Sequence, residues 1–490
     1  NFIVMSGDSQ LKQRTAKGLL WGGIGTGTIQ VINLGFGILL ARMITPADYG
    51  IVGALTIFSA IAGILSESGF ILAIVNRQKV TDEDYNAVFW FSLFMSLAIY
   101  TILWFSAPLI ARFYNQPEMI DLSRFIFIGF VVSALAASPT AYFFRNLQVK
   151  IRSSVQIIAL LLSGLIGIYC AYIGLGYWAI AVQTVTYTST NSLLLWIRCP
   201  WRPKLSINFS PLRDMLPFSI KQLVVSFFTQ INNNIFAMLL GRFYNMRTTG
   251  FYTQGYKWTA MGYSTLNGML NGVGQPVLRQ TVDDSERMQR VFVKLLRFTC
   301  LVSFPAMFGL AIVAREFIVL TVSDIWLPSV EVIKILCISG AFIPLATLYG
   351  NLFNSSGHPG TYMWNTISLG IVQLICLCCT ASLGLKIMLI FYVTINIAWL
   401  GIWQYNAYRL TGIKTLRVLG AITPYLIITL AVMAVTMIAT ASINNLVISL
   451  IAKILLAILL YALSIRLFIP QDFKEVLDYF RKKHQNDIIE

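Results

Sequence analysis

Five ionisable side chains stand inside, or at the rims of, long apolar stretches of this chain: Glu67 in "GILSESGF", Lys257 in "GFYTQGYKWTAMGY", Lys221, Arg42 and Arg242. A charge at mid-membrane costs on the order of 3 kcal/mol, so it persists where it meets water, a counter-charge or a solute. A cavity lined by Lys257, Lys221, Arg42 and Arg242 attracts an anion. A lone carboxylate such as Glu67 carries a proton or receives a cation. For Arg42 and Arg242 the competing reading is an interfacial anchor whose stem lies in lipid; for Lys334 and Lys453 that anchoring role is the expectation. Amides accompany the charges. Gln30, Asn33 and the glycines around them share one helical face, and Ser219, Gln222, Ser226, Gln230, Asn233 and Ala237 share another. Such stripes serve either as helix–helix glue or as the wall of a polar cavity.

The elements that position these residues are membrane spans. The chain has 490 residues, 57% of them hydrophobic and 11% charged. That is too much apolar surface for one soluble core. Apolar runs of about 20 residues recur from end to end, which predicts an all-α polytopic membrane protein of about fourteen transmembrane helices. Continuous rather than alternating apolarity argues against a β-barrel. The first run is too long for a cleavable leader and is expected to stay in the membrane.

The polar residues recur with the helices. "QVINLGFGILLAR" (Gln30 to Arg42) and "QINNNIFAMLLGR" (Gln230 to Arg242) agree at six of thirteen positions at an offset of 200. Gly50 and Gly250 keep that offset, and Arg-Gln-x-Val-x-Asp recurs as Arg77, Gln78, Val80, Asp82 and as Arg279, Gln280, Val282, Asp284. About six spans separate the copies, so both face the same way, as parallel repeats do in secondary transporters. The expected organisation is two parallel six-helix lobes, residues 1–207 and 208–410, followed by two extra helices and a basic tail, 411–490. "IRCPWRPKLSINFSPLRD" is the linker between the lobes.

Of the 36 Lys and Arg residues, 24 fall on the side of the N-terminus and 7 on the other, with 5 in or at the rim of spans. By the positive-inside rule both termini are cytoplasmic, and the net charge of +16 needs no nucleic acid. The seven cysteines lack C-x-x-C pairing and only two histidines accompany them, so no metal site is expected. No cofactor is expected either. A P-loop and a H-E-x-x-H motif are both absent. "WGGIGTGT" follows no strand, so its Gly23 and Gly27 read as close helix packing rather than a dinucleotide fingerprint.

"LLARMITPADYG", "SGFILAIVNRQKVTDEDYNAVFW", "GLGYWAIAVQ", "GQPVLRQTVDDSERM" and "LFNSSGHPG" resemble, in order and spacing, the polysaccharide transporter branch of the multidrug/oligosaccharidyl-lipid/polysaccharide (MOP) exporter superfamily. The nearest subgroup is that of bacterial lipopolysaccharide, colanic-acid and teichuronic-acid exporters. The chain departs from the family at "SDIW", Ser323 to Trp326, where Gly-x-x-Trp is usual, and at His358, where Arg is frequent. The resemblance implies two six-helix lobes in a V and a lipid-linked oligosaccharide flipped across the bacterial inner membrane. The expected partners are therefore that prenyl-pyrophosphate substrate and membrane lipid, with proton or sodium coupling through Glu67 as one source of direction. No residue of a substrate site is carried over from the family. The rival expectations are a cation-coupled drug antiporter of the same superfamily, which calls for an acidic cavity, and a membrane glycosyltransferase, polymerase or ligase, which calls for a large outer loop or an acidic catalytic pair.

Overall fold

A computed structural model describes residues 27–470 apart from 68, 78, 147, 280 and 283. Lys12, Arg14, Lys17, Gly23, Thr26, the basic tail beyond residue 470, Gln78 and Gln280 therefore lie outside the described residues. Every regular element described is helical. Helices α1 (Gly27–Met43), α2 (Pro46–Glu67), α3 (Phe70–Asn76), α4 (Asp82–Tyr114), α5 (Met119–Leu135), α6 (Ala137–Arg145), α7 (Val149–Tyr172) and α8 (Tyr177–Arg198) precede the linker. After it come α9 (Ser210–Phe243), α10 (Met246–Arg279), α11 (Ser285–Phe317), α12 (Leu327–Ser355), α13 (Pro359–Thr380), α14 (Leu385–Thr411), α15 (Thr415–Thr440) and α16 (Leu446–Phe468). Among the described residues ten helices are long and apolar enough to cross a membrane, eleven if α5 and α6, bent by 46° at their junction, form one span. The protein is an all-helical polytopic membrane protein.

The repeated loop motif turns out to start helices. Thr81 caps α4 in a reciprocal box with Asp84, and Asp82, Glu83 and Asp84 fill its first turn, where acidic groups meet unpaired N–H groups. Asp284 caps α11 by accepting from the Arg287 N–H at 2.9 Å. The arginines of the motif clamp neighbouring chain. Arg77 bonds Asp84 at 2.9 Å and Asp214 at 3.3 Å, and Arg279 donates to the Ser355 carbonyl at 2.9 Å.

Two compact units emerge, residues 1–254 with 366–384, and 255–365 with 385–490. In the first, an apolar cluster around Ile51, Leu55, Tyr114 and Phe127 joins α2, α4 and α5, while Phe70, Tyr85, Phe89 and Trp201 anchor a second cluster nearer the linker. Here α2 crosses the start of α10 with backbone against backbone. A Cβ on Gly50 would lie 1.7 Å from the Met246 oxygen, and one on Gly250 would lie 1.7 Å from the Pro46 oxygen. Met246 stands 200 residues after Pro46, so the two contacts are repeats of each other. Gly53 meets Thr253 at the same offset. The packing expected at Gly27 is not found: an added Cβ there meets nothing within 4 Å among the described residues.

The second unit is built on α11 and α12, with Phe292, Phe304, Phe353 and Trp326 fully buried. The extra helices α15 and α16 pack on α11. Tyr461 of α16 donates to the Leu301 carbonyl at 2.9 Å, and Lys453 donates to Glu316 at 2.5 Å.

Candidate functional site

Helix α9 carries most of the expected site. From Gln222 its half-buried polar residues run at four-residue spacing. Gln222 Nε2 donates to Ser226 Oγ at 3.3 Å, and Asn234 Nδ2 donates to the Gln230 carbonyl at 2.9 Å, with Gln230 Oε1 at 3.5 Å. This ladder covers about 18 Å of helix at 1.5 Å per residue. These bonds all run within the helix, between residues four apart. Lys221 and Asn233 are both exposed.

Basic groups bracket the ladder. Lys221 precedes it and Arg242 ends the helix, 21 residues later, or about 30 Å along the axis. Arg242 is engaged: Nη1 donates to the Phe113 carbonyl at 3.1 Å, and its guanidinium lies 5.3 Å from that ring's centre. This contact tethers α9 to the end of α4 and gives the anchoring role a partner. Arg42, also exposed, closes α1 at the matching repeat position and has a protein partner of its own.

In α1, Gln30 and Asn33 are half-buried, and Gln30 also has a protein partner. Phe36 fills the space over Gly164 of α7, while Phe236, its counterpart, stacks on Tyr252 at 4.5 Å. The repeated words thus keep their helix positions and change their neighbours.

Glu67 closes α2; its side chain lies outside the described residues. Its backbone setting is informative. Gly69, at φ 74°, ends α2 and starts α3, and a Cβ there would sit 2.8 Å from the Ser219 oxygen. The helix is therefore broken beside the polar beginning of α9, a backbone arrangement tolerated at membrane depth where it is buried in protein or lines water.

Lys257 belongs to the second unit. It is half-buried, its ammonium lies 5.3 Å from the Trp258 ring centre, and Trp258 packs edge-on against Phe317. No acidic partner of Lys257 is found among the described residues.

Two residues, Asn232 and Glu316, were not singled out by the sequence. Asn232 donates to the Thr366 carbonyl of α13 at 3.1 Å, although its neighbour Asn233 was the expected amide. Glu316, 5% exposed, pairs with Lys453 and accepts from Ser449 Oγ at 3.0 Å. Lys453 therefore does not reach out to the interface as expected: it is turned inward by a carboxylate 137 residues earlier in the chain. Lys334 is exposed, as anchoring requires. Among the described residues no cluster of three or more His, Cys, Asp or Glu could hold a metal. Cys199, in the linker, is 1% exposed, and burial pushes its thiol pKa up, away from reactivity.

The sequence profile of a family described as "Polysaccharide biosynthesis protein" matches residues 39–331. The teichuronic acid biosynthesis protein TuaB of Bacillus subtilis is 23% identical over 73% of this chain and 74% of its own. The lipopolysaccharide biosynthesis protein WzxC of Escherichia coli is 23% identical over 70% of each chain, and the succinoglycan biosynthesis transport protein ExoT of Rhizobium meliloti 21% over 63% of each. Among solved structures, the lipid II flippase MurJ superposes with a TM-score of 0.73 at 15% identity, covering 94% of this chain and all of MurJ. A multidrug-resistance MATE transporter superposes at 0.63 with 16% identity, covering 79% of this chain and 95% of that one. With more than half its length matched by that profile, the chain belongs to the polysaccharide biosynthesis protein family, and its fold is that of MurJ and the MATE transporters.

Proposed function

We propose that the protein flips a prenyl-pyrophosphate-linked oligosaccharide from the cytoplasmic to the outer leaflet of the bacterial inner membrane, for cell-surface polysaccharide assembly. It is a membrane transporter rather than an enzyme, in keeping with relatives named for transport and flipping. In this reading fourteen helices cross the bilayer: eleven apolar spans, with the bent α5 and α6 as one, together with the short α1 and the more polar α8 and α10. They form two parallel lobes, 1–207 and 208–410, with two further helices in 411–490 and both termini cytoplasmic. Alternating access between the lobes moves the sugar and pyrophosphate while the prenyl tail stays in lipid.

The observation that carries this reading is the ladder of α9. A pyrophosphate and sugar hydroxyls lose their water partners in hydrocarbon at several kcal/mol per group. A half-buried row of amides and hydroxyls supplies replacements along about 18 Å of helix, with Lys221 at its start and Arg242 about 12 Å beyond its last amide. Gln30, Asn33, Gln230, Asn233, Lys221, Arg42, Arg242 and Lys257 are the substrate-contacting residues of this proposal, and Glu67 couples proton or sodium movement. A cation-coupled drug antiporter is the second reading, favoured by the MATE likeness and opposed by the basic side chains.

Leaflet-resolved flipping of a lipid-linked oligosaccharide in proteoliposomes tests it. Lys257→Ala and Arg42→Ala/Arg242→Ala are expected to slow flipping by about tenfold or more while insertion persists, since each removes charge-assisted bonds to the anion. Normal flipping in both makes these cations anchors. No flipping by the parent chain, with drug efflux instead, replaces the function. A Glu67→Gln protein that responds to an imposed gradient like its parent removes Glu67 from coupling.

A further inference from the structure

The first unit holds a cavity of about 510 Å³, walled by Phe70 of α3, Phe91 and Phe94 of α4, and Phe209, Arg213 and Leu216 around the start of α9. Local sequence builds it. The left-handed Gly69 restarts the helix so that Phe70 is 1% exposed. The linker is strapped to α4: Asn86 Nδ2 donates to the Ser206 carbonyl at 2.6 Å, Lys204 N–H to Asn86 Oδ1 at 2.9 Å, and Trp90 Nε1 to the Lys204 carbonyl at 2.9 Å. The strap delivers Phe209 onto α4. A connected set of rings results, Phe70–Phe91 at 5.0 Å, Phe91–Phe209 at 6.4 Å and Phe94–Phe209 at 6.5 Å. The rim stays open, with Phe94, Phe209 and Leu216 exposed at 45%, 43% and 41%.

Arg213 is the one ionisable residue of this lining. The nearby acids are already taken, because Arg77 holds both Asp84 and Asp214. Among the described residues Arg213 has no ion pair, and it is exposed at the cavity's edge. An apolar slot with one guanidinium at its edge complements an amphiphile with one chain and an anionic head. Arginine suits a phosphate in particular, since its planar fork donates two parallel bonds and sheds water more readily than an ammonium.

We propose that this cavity docks a prenyl phosphate lipid, its methyl-branched chain along the phenylalanine rings and its phosphate on Arg213. A glycerophospholipid brings two chains for each phosphate and fits a single slot poorly. Choosing a prenyl lipid rests on the transport reading above. The dock is separate from the amide ladder of α9, so the tail is held at one place while the head group is handled at another.

The test uses the full chain in nanodiscs of zwitterionic phosphatidylcholine, with a sugar-free prenyl phosphate bearing a photoactivatable diazirine near the end of its chain. Labelling is expected within residues 91–98 and 209–216. Arg213→Gln, a surface change that leaves folding intact, is expected to cut it about tenfold, the worth of a charge-assisted bond. Met95→Trp, which fills the slot, is expected to abolish it. Unlabelled prenyl phosphate should compete, and an equal excess of phosphatidylglycerol should not. Equal competition by phosphatidylglycerol makes the cavity a general anionic-lipid patch and overturns the proposal, as does labelling elsewhere or labelling indifferent to Arg213→Gln. Labelling without flipping in proteoliposomes leaves the dock standing and removes the transport reading; flipping without labelling does the reverse.

Discussion

Two contacts between spans hold by opposite means. Where α2 crosses the start of α10, the side chains are withdrawn, and Gly50 and Gly250 let each backbone rest on the other's carbonyl. Where α16 meets α11, two charges are brought together out of water, Lys453 against Glu316, with Ser449 assisting. Lipid offers no hydrophobic drive for helices to associate, so packing of small residues and polar bonds are the remaining choices. Parting the glycine crossing exposes no unpaired charge. Parting the ionic contact leaves a carboxylate and an ammonium in a low-dielectric setting. Moving parts are expected at the first kind of contact and fixed attachment at the second.

The largest effect should come from breaking the pair on one side only. Lys453→Leu leaves Glu316 buried and uncompensated, with Oε2 already unbonded, and should cost about 3–5 kcal/mol. Glu316→Leu/Lys453→Leu should restore most of that, read as thermal stability in detergent together with protease protection of α16. A single variant as stable as the double would show that the charges hold nothing.

A smaller effect is expected at the crossing. Gly50→Ala and Gly250→Ala each drive a methyl into a backbone oxygen and should destabilise by about 1–3 kcal/mol, by equal amounts if the repeat is structural. Gly53→Ala meets the Thr253 side chain rather than backbone, and displaces an Oγ1 that donates to the Thr249 carbonyl at 2.8 Å, so its cost should be less. Unequal effects at Gly50 and Gly250 would reduce the symmetry to a coincidence of sequence.

The same contrast explains what could be read from residues alone. The helices, the family and the repeat were legible because apolar run length and an offset of 200 are one-dimensional signals. The offset also paired Gly50 with Gly250, although not as a contact. Partners far apart in sequence were not. Glu316 in "VAREFIV" looks like an interfacial acid beside Arg315, and nothing in its neighbourhood points 137 residues ahead to Lys453. On α9 the expected face runs from Gln230 to Asn233. The helix instead continues the ladder through Asn234 and turns Asn232 toward α13. Three consecutive asparagines cannot be sorted by periodicity, because adjacent residues lie about 100° apart and the choice rests on the neighbouring helix.

That triplet yields the finest test. Asn232→Ala removes one bond, to the Thr366 carbonyl, worth about 0.6 kcal/mol within a membrane. Gly370→Ala places a Cβ 2.2 Å from Asn232 Oδ1 and should cost about 1 kcal/mol or more. The two should be less than additive, since losing the amide makes room for the methyl. Asn233→Ala, exposed, should leave stability within about 0.5 kcal/mol of the parent. Any effect it has should fall on flipping. If Asn233→Ala destabilises as Asn232→Ala does, both amides are glue between helices, and the polar stripe of α9 loses its claim to line the path. If only Asn232→Ala destabilises, one helix carries fixed attachment on one face and solute contact about 100° away.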